Sequence, residues 1–128
     1  MIYYVTLGTN DLTRSAAFYD AALATLGHSR ILTADTDIGY GKPGDASPTL
    51  YLVTPFDGAA ATRGNGTMLA LIATTRAAVH DFHTAALAAG GTDEGAPGLR
   101  YSANFYACYV RDPDGNKLSA VCNLPQRD

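Results

Sequence analysis

The chain repeats itself. An offset of 64 residues (71 − 7 = 64) lays Leu71 on Leu7, Phe82 on Phe18, Leu87 on Leu23 and Gly91 on Gly27. Alanine-rich helices match by chance, so the Phe, Leu and Gly registrations carry the inference of a duplicated unit. Residues 2–9 are rich in β-branched and aromatic types and read as a strand. Asn10 or Asp11 can cap the helix that follows. Leu12, Ala16, Tyr19, Leu23 and Leu26 recur at helical spacing, and Gly27 ends the stripe as a C′ glycine. Three short strands are expected at about 29–35, 37–41 and 49–54, the last two separated by Gly41-Lys42-Pro43-Gly44-Asp45. Pro55 to Gly66 reads as a linker or mobile loop. The pattern then restarts. Thr67 to Ala73 is a strand, Thr74 or Thr75 a cap, and 76–89 a helix with Val79, Phe82, Ala86 and Ala89 on one face, closed by Gly90-Gly91. After a loop containing Pro97, strands at about 100–110 and 116–123 finish the chain.

Each unit therefore reads β-α-β-β-β, and the fold class is α+β. One helix covers one sheet face, and the other face must curl around something or pack on another sheet, so two such sheets can enclose a cleft. The expected organisation is a single domain of residues 1–128, with module 1 at about 1–57 and module 2 at about 65–124. A formal net charge of -3 gives no basic footprint for nucleic acid or an anionic membrane. Neither a membrane span nor a signal peptide is legible. Cys108 and Cys122 fall in expected strands without Cys-x-x-Cys spacing, which reads as two reduced, buried thiols in a cytoplasmic protein.

Near the end, Asp112-Pro113-Asp114-Gly115-Asn116 turns a hairpin: proline presets φ, the aspartates accept from backbone N–H groups, and glycine tolerates φ > 0. With this turn the residues carry a family likeness. Val5-Thr6-Leu7-Gly8-Thr9-Asn10-Asp11-Leu12, followed by Ser15, Phe18 and Tyr19, resembles the opening of the glyoxalase/bleomycin resistance/extradiol dioxygenase (vicinal oxygen chelate) superfamily. Tyr109 to Leu118 resembles its closing hairpin, and Gly64 to Thr92 is similar to the start of its second module. The resemblance implies two tandem β-α-β-β-β modules forming curved mixed sheets around a cleft. It leaves the reaction open, because lyases, isomerases, dioxygenases, thiol transferases and antibiotic-sequestering proteins share the fold.

Catalytic members bind one divalent metal through inward-facing strand positions of both modules. Those positions fall here on Tyr4, on Tyr51 or, with a one-residue slip, Leu52, on Met68 and on Ser119. A hard divalent ion needs carboxylate or imidazole donors, so the usual metal site is expected to be absent and no divalent cofactor is expected. His80 and His83 are three apart on the second helix, but the stripe of Val79, Phe82 and Ala86 turns them away from the sheet. His28 follows a helix end and has a structural explanation there.

Strand alternation puts Tyr4 and Thr6 on the cleft side, with Met68, Ala70, Ser119 and Val121. In the strand before the turn, either Phe105, Ala107 and Tyr109 or Tyr106 and Cys108 join them. Eight tyrosines suggest an aromatic cleft with hydroxyl tips, suited to a planar or amphipathic small molecule. The candidate ligand-binding residues are Tyr4, Thr6, Tyr51, Met68, Tyr106, Cys108 and Ser119. Cys108 reads as a small buried strand residue, with no base placed beside it. Two functions follow. One is a metal-independent small-molecule binding protein. The other is a lyase or isomerase of glyoxalase type, either metal-free, with tyrosine or serine as acid–base groups, or with a metal site elsewhere. Tyrosine does such work only if a nearby cation lowers its pKa, and Arg100 and Lys42 are the candidates. A homodimer is implied by the resemblance, and a nucleic-acid or membrane partner is not expected.

Overall fold

In a computed structural model that describes residues 1–126, two copies of one layout stand side by side. Module 1 runs β1 (Val5–Gly8), α1 (Leu12–Ala24), β2 (Ser29–Thr33), β3 (Asp37–Gly41) and β4 (Leu50–Val53). Module 2 runs β5 (Met68–Ile72), α2 (Arg76–Ala88), β6 (Thr92–Leu99), β7 (Phe105–Arg111) and β8 (Lys117–Asn123). Each forms a mixed four-stranded sheet, ordered β1-β4-β3-β2 and β5-β8-β7-β6, in which the first and last strands of the module pair in parallel. The α+β architecture expected from the repeat is the one observed.

The helix bounds keep the 64-residue offset at both ends (76 − 12 and 88 − 24). Asp11 and Thr75 are the N-caps, their side chains accepting from the N–H groups of Arg14 and Ala78. At the C-termini the offset slips. His28 N–H bonds to Leu23 C=O and Gly91 N–H to Ala86 C=O, the closing bonds of Schellman caps, and the positive-φ glycines are Gly27 and Gly90. Those two glycines are 63 apart (90 − 27), so α1 carries one residue more before it turns.

β6 lies where no strand was expected. Gly95, Pro97 and Gly98 erase the apolar alternation, and the pairing with β7 slips register twice. Proline and bulges of this kind are tolerated at a sheet edge, the place β6 occupies.

The core lies between each sheet and its helix and continues across the α1–α2 contact. Phe18, Tyr19, Leu52, Phe82, Val79 and Leu118 are fully buried there. The closing hairpin ties the modules together. Tyr19 donates its hydroxyl to Asp112 at 2.6 Å, and Asp114 accepts from Thr9 Oγ1 at 2.6 Å, from Asn10 N–H at 2.9 Å and from Arg14 at 3.0 Å. Asn116 donates to Gly8 C=O. Turn chemistry accounts for part of what these aspartates do, and docking onto the β1–α1 junction accounts for the rest.

Burial, with the Asp112 charge beside it, holds the Tyr19 hydroxyl well above its ordinary pKa. The folded chain thus keeps this proton more tightly than the unfolded one. The resulting stability is complete below about pH 10 and falls above it by about 1.4 kcal/mol per pH unit. Urea unfolding followed from about pH 9 to about pH 11 should show that decline, and Tyr19→Phe should make it shallower, the remainder coming from Tyr40, which burial and Asp20 push up as well. Equal slopes in the two proteins would remove Tyr19 as the cause.

Candidate functional site

The free face of the first sheet is built by alternation. Leu7, Leu50 and Leu52 are buried towards α1. Thr6 and its β4 partner Tyr51 therefore face the other way, together with Tyr4 and Val53. Leu52 is fully buried in the core, so of these two residues it is Tyr51 that lies on the free face. The rings of Tyr4 and Tyr51 meet edge to face, with centroids 5.1 Å apart. Around them is a cavity of about 870 Å³. The loop after β4 forms its far wall through Pro55, Phe56, Asp57 and Ala61. That segment is tethered: Ala61 N–H donates to Asn10 Oδ1 at 2.7 Å, and Asn10 Nδ2 donates to Ala61 C=O at 3.2 Å. Among the described residues, Asp37 and Asp57 are the charged ones that line the cavity, and no lysine or arginine does. Sequence reasoning missed Asp37, Phe56 and Asp57. The first was within reach through the β3–β4 register, which sets Asp37 beside Val53.

On the second sheet the register ambiguity resolves. Phe105, Ala107, Tyr109 and Arg111 share the free face with Lys117, Ser119 and Val121. Tyr106 and Cys108 do not join them, which corrects the expectation that they line the cleft. The Tyr106 hydroxyl lies 2.6 Å from His80 Nε2, and the Cys108 thiol points to Val79 C=O at 3.6 Å, both partners being on α2. Burial pushes the Cys108 thiol pKa up, the wrong direction for a nucleophile. Cys122 is buried as well, and both thiols are free. Ser119 is fully buried with its hydroxyl unpartnered, and Met68, 43% exposed, lies on the neighbouring strand β5, paired with Lys117.

Tyr109 has the cationic neighbours that acid–base work requires. Arg100 lies 5.7 Å and Lys117 5.6 Å from its ring centroid. Burial and a hydrogen bond with Tyr101 nevertheless hold its pKa above the ordinary value. Its hydroxyl stays protonated near neutral pH and is no base. Lys42, the other cation considered, sits in the β3–β4 loop, where its backbone N–H caps against Asp45.

The four positions assigned to a metal fall on two sheets that do not touch each other within one chain; the modules meet through α1, α2 and the closing hairpin. Their donors are two phenols, a thioether and a serine hydroxyl, a set that does not fit a hard divalent ion. Among the described residues no group of three or more His, Cys, Asp or Glu side chains converges. His83 pairs instead with Asp93 at 2.8 Å, and His80 with Tyr106.

The duplicated module, the docked hairpin and the cleft face agree with a match to the model of the Glyoxalase/Bleomycin resistance protein/Dioxygenase superfamily over residues 2–119. The chain belongs to this superfamily. Among solved structures, this superfamily member is similar to a glyoxalase/bleomycin resistance protein from Albidiferax ferrireducens T118, with 39% identity, coverage of 92% of this chain and 94% of that one, and a TM-score of 0.82. It is also similar to a glyoxalase-related enzyme from Fulvimarina pelagi, at 23% identity over 94% and 86% of the two chains with a TM-score of 0.73. A lactoylglutathione lyase from Agrobacterium tumefaciens is similar at 21% identity over 94% and 92%, with a TM-score of 0.65. These last two likenesses show the fold alone. No curated protein matches the chain. Among the described residues no helix is long and apolar enough to cross a membrane.

Proposed function

We propose that this superfamily member binds a planar, amphipathic small molecule in the first-module cavity without the help of a metal ion. The observation that carries the reading is the edge-to-face Tyr4–Tyr51 pair inside a cavity of about 870 Å³. That volume lies within the ~300–1,000 Å³ of ordinary small-molecule sites, and edge-to-face rings offer a flat apolar ligand both contact area and hydroxyl tips.

Nile red, a neutral planar amphiphile, serves as the probe. Its fluorescence titration into the full chain should saturate, and Tyr51→Ala should weaken binding about tenfold, equivalent to ~1.4 kcal/mol. The curve should be the same in EDTA and in Ni²⁺. Unchanged affinity in Tyr51→Ala, or binding that appears only with the metal, would overturn the reading.

We also propose a homodimer. The free faces of both sheets leave Tyr4, Met68 and Ile72 exposed, Ile72 to 81%, and a second copy laid across them would bring the two halves of the family's site together. Light scattering at micromolar concentration should give twice the chain mass, and a concentration-independent monomer would refute this.

A further inference from the structure

The two sheets share a layout and differ in charge. On the second, Arg111 and Lys117 are direct cross-strand partners, with like charges side by side on the free face. That arrangement costs stability unless something negative joins it. Arg63 completes a triangle. Its aliphatic stem lies over Gly115 of the hairpin, so closely that a Cβ there would sit 3.5 Å from Arg63 Cβ and 3.6 Å from Cδ. The three cations, with the Gly64–Thr67 segment and Met68, line a cavity of about 280 Å³.

Little within the chain neutralises them. Arg111 spends Nε on Glu94 at 2.7 Å and Nη1 on Gly115 C=O at 2.8 Å. Among the described residues neither Arg63 nor Lys117 forms an ion pair. The Lys117 ammonium instead shares the Tyr109 ring with Arg100, a second cation on the same face. Ser119, the next side chain along β8 on that face, is buried with its hydroxyl unpartnered. In a chain of net charge -3 such a concentration of positive charge is local and built.

We propose that this cavity, on the opposite sheet from the tyrosine-lined one, takes a small oxyanion: a phosphate, phosphonate, sulfate or carboxylate group. Two guanidinium-bearing side chains and an ammonium-bearing one, drawn from three segments, line the space, and guanidinium and ammonium groups are the chemistry that recognises such groups. The space is below the size of an ordinary organic-ligand site and suits a charged head with its water. The first-module cavity, lined by Asp37 and Asp57, would repel the same head. The oxyanion is either free or the end of a larger molecule, and the test separates the two.

Inorganic phosphate is titrated into the full chain at constant ionic strength balanced with sodium chloride, with calorimetry as the readout and phenyl phosphate in a parallel arm. Saturable binding is expected, weakened at least tenfold in the double variant Arg63→Gln, Lys117→Gln and abolished by Arg63→Glu, a change at an exposed side chain. Equal affinity for the two phosphates identifies a free oxyanion, and tighter phenyl phosphate identifies a head group. Phosphate that does no more than chloride, or a double variant that binds as tightly as the parent, overturns the proposal. A carboxylate-rich partner occupying the face would appear as the first of those outcomes. Because the probe is not Nile red, the two sites stand or fall separately.

Discussion

Asp112→Ala is expected to lower the unfolding free energy by about 3–5 kcal/mol, with the urea m-value unchanged. The carboxylate is 4% exposed and accepts four hydrogen bonds. Oδ1 takes the N–H groups of Asp114 and Asn116, each at 2.9 Å, which closes the turn. Oδ2 takes the Tyr19 hydroxyl at 2.6 Å and Asn116 Nδ2 at 2.8 Å, which fastens the turn to α1. All the acceptor capacity of the group is in use. Truncation would strand the buried Tyr19 hydroxyl and leave Asn116 Nδ2 with Gly8 C=O as its remaining partner. Each buried, unpaired polar group costs ~1–3 kcal/mol, more than the net worth of the bond itself. Asp114→Ala should cost less, about 1–2 kcal/mol, because one of its partners, Arg14, is half exposed and easily rehydrated. Should Asp112→Ala cost under ~1 kcal/mol, the hairpin would be a turn only, and the modules would be held together by helix packing alone.

How much of this was legible in the sequence depended on whether neighbours in the chain or neighbours in space decide the outcome. Helix positions follow from local periodicity, and hydrogen bonds spanning three residues narrow each cap to a pair, Asn10 or Asp11 and Thr74 or Thr75, of which the structure uses Asp11 and Thr75. β7 shows where that stops. Phe105-Tyr106-Ala107-Cys108-Tyr109-Val110 presents apolar or aromatic groups on both faces, and alternation alone cannot choose between them. The choice falls to α2, which offers His80 to Tyr106 and a carbonyl to Cys108. β6 was hidden for the opposite reason: it has too few apolar residues to signal a strand, and pairing with β7 alone makes it one. The site was half legible. Tyr4, Thr6 and Tyr51 line one cavity, while Met68 and Ser119 lie on the other sheet, because the resemblance supplies positions along strands and says nothing of which sheets face each other within a chain. The cations of the second sheet escaped notice because Arg63, Arg111 and Lys117 lie far apart in sequence and meet only through the hairpin and its register.

Gly91→Ala tests the packing between the modules at the point where the repeat loses its symmetry. A Cβ at Gly91 would lie 2.8 Å from Ala86 C=O, 2.8 Å from Phe18 Cε2 and 2.9 Å from Arg111 C=O. Two of these atoms are backbone, and the third belongs to a ring that is itself fully buried, so none can yield without moving an element. The substitution is therefore expected to cost about 2–3 kcal/mol, towards the upper end for overpacking. Gly27 occupies the offset-related position and supplies the control. It has φ +83 and nothing within 4 Å of the added atom, so Gly27→Ala meets backbone strain alone, about 1–2 kcal/mol. Urea unfolding of the two variants side by side separates the causes. The larger loss belongs to Gly91 if close approach of α1, α2 and β7 sets the cost. A larger loss at Gly27 would mean that the helix cap matters more than the contact, and that the two modules can part slightly at this seam without penalty.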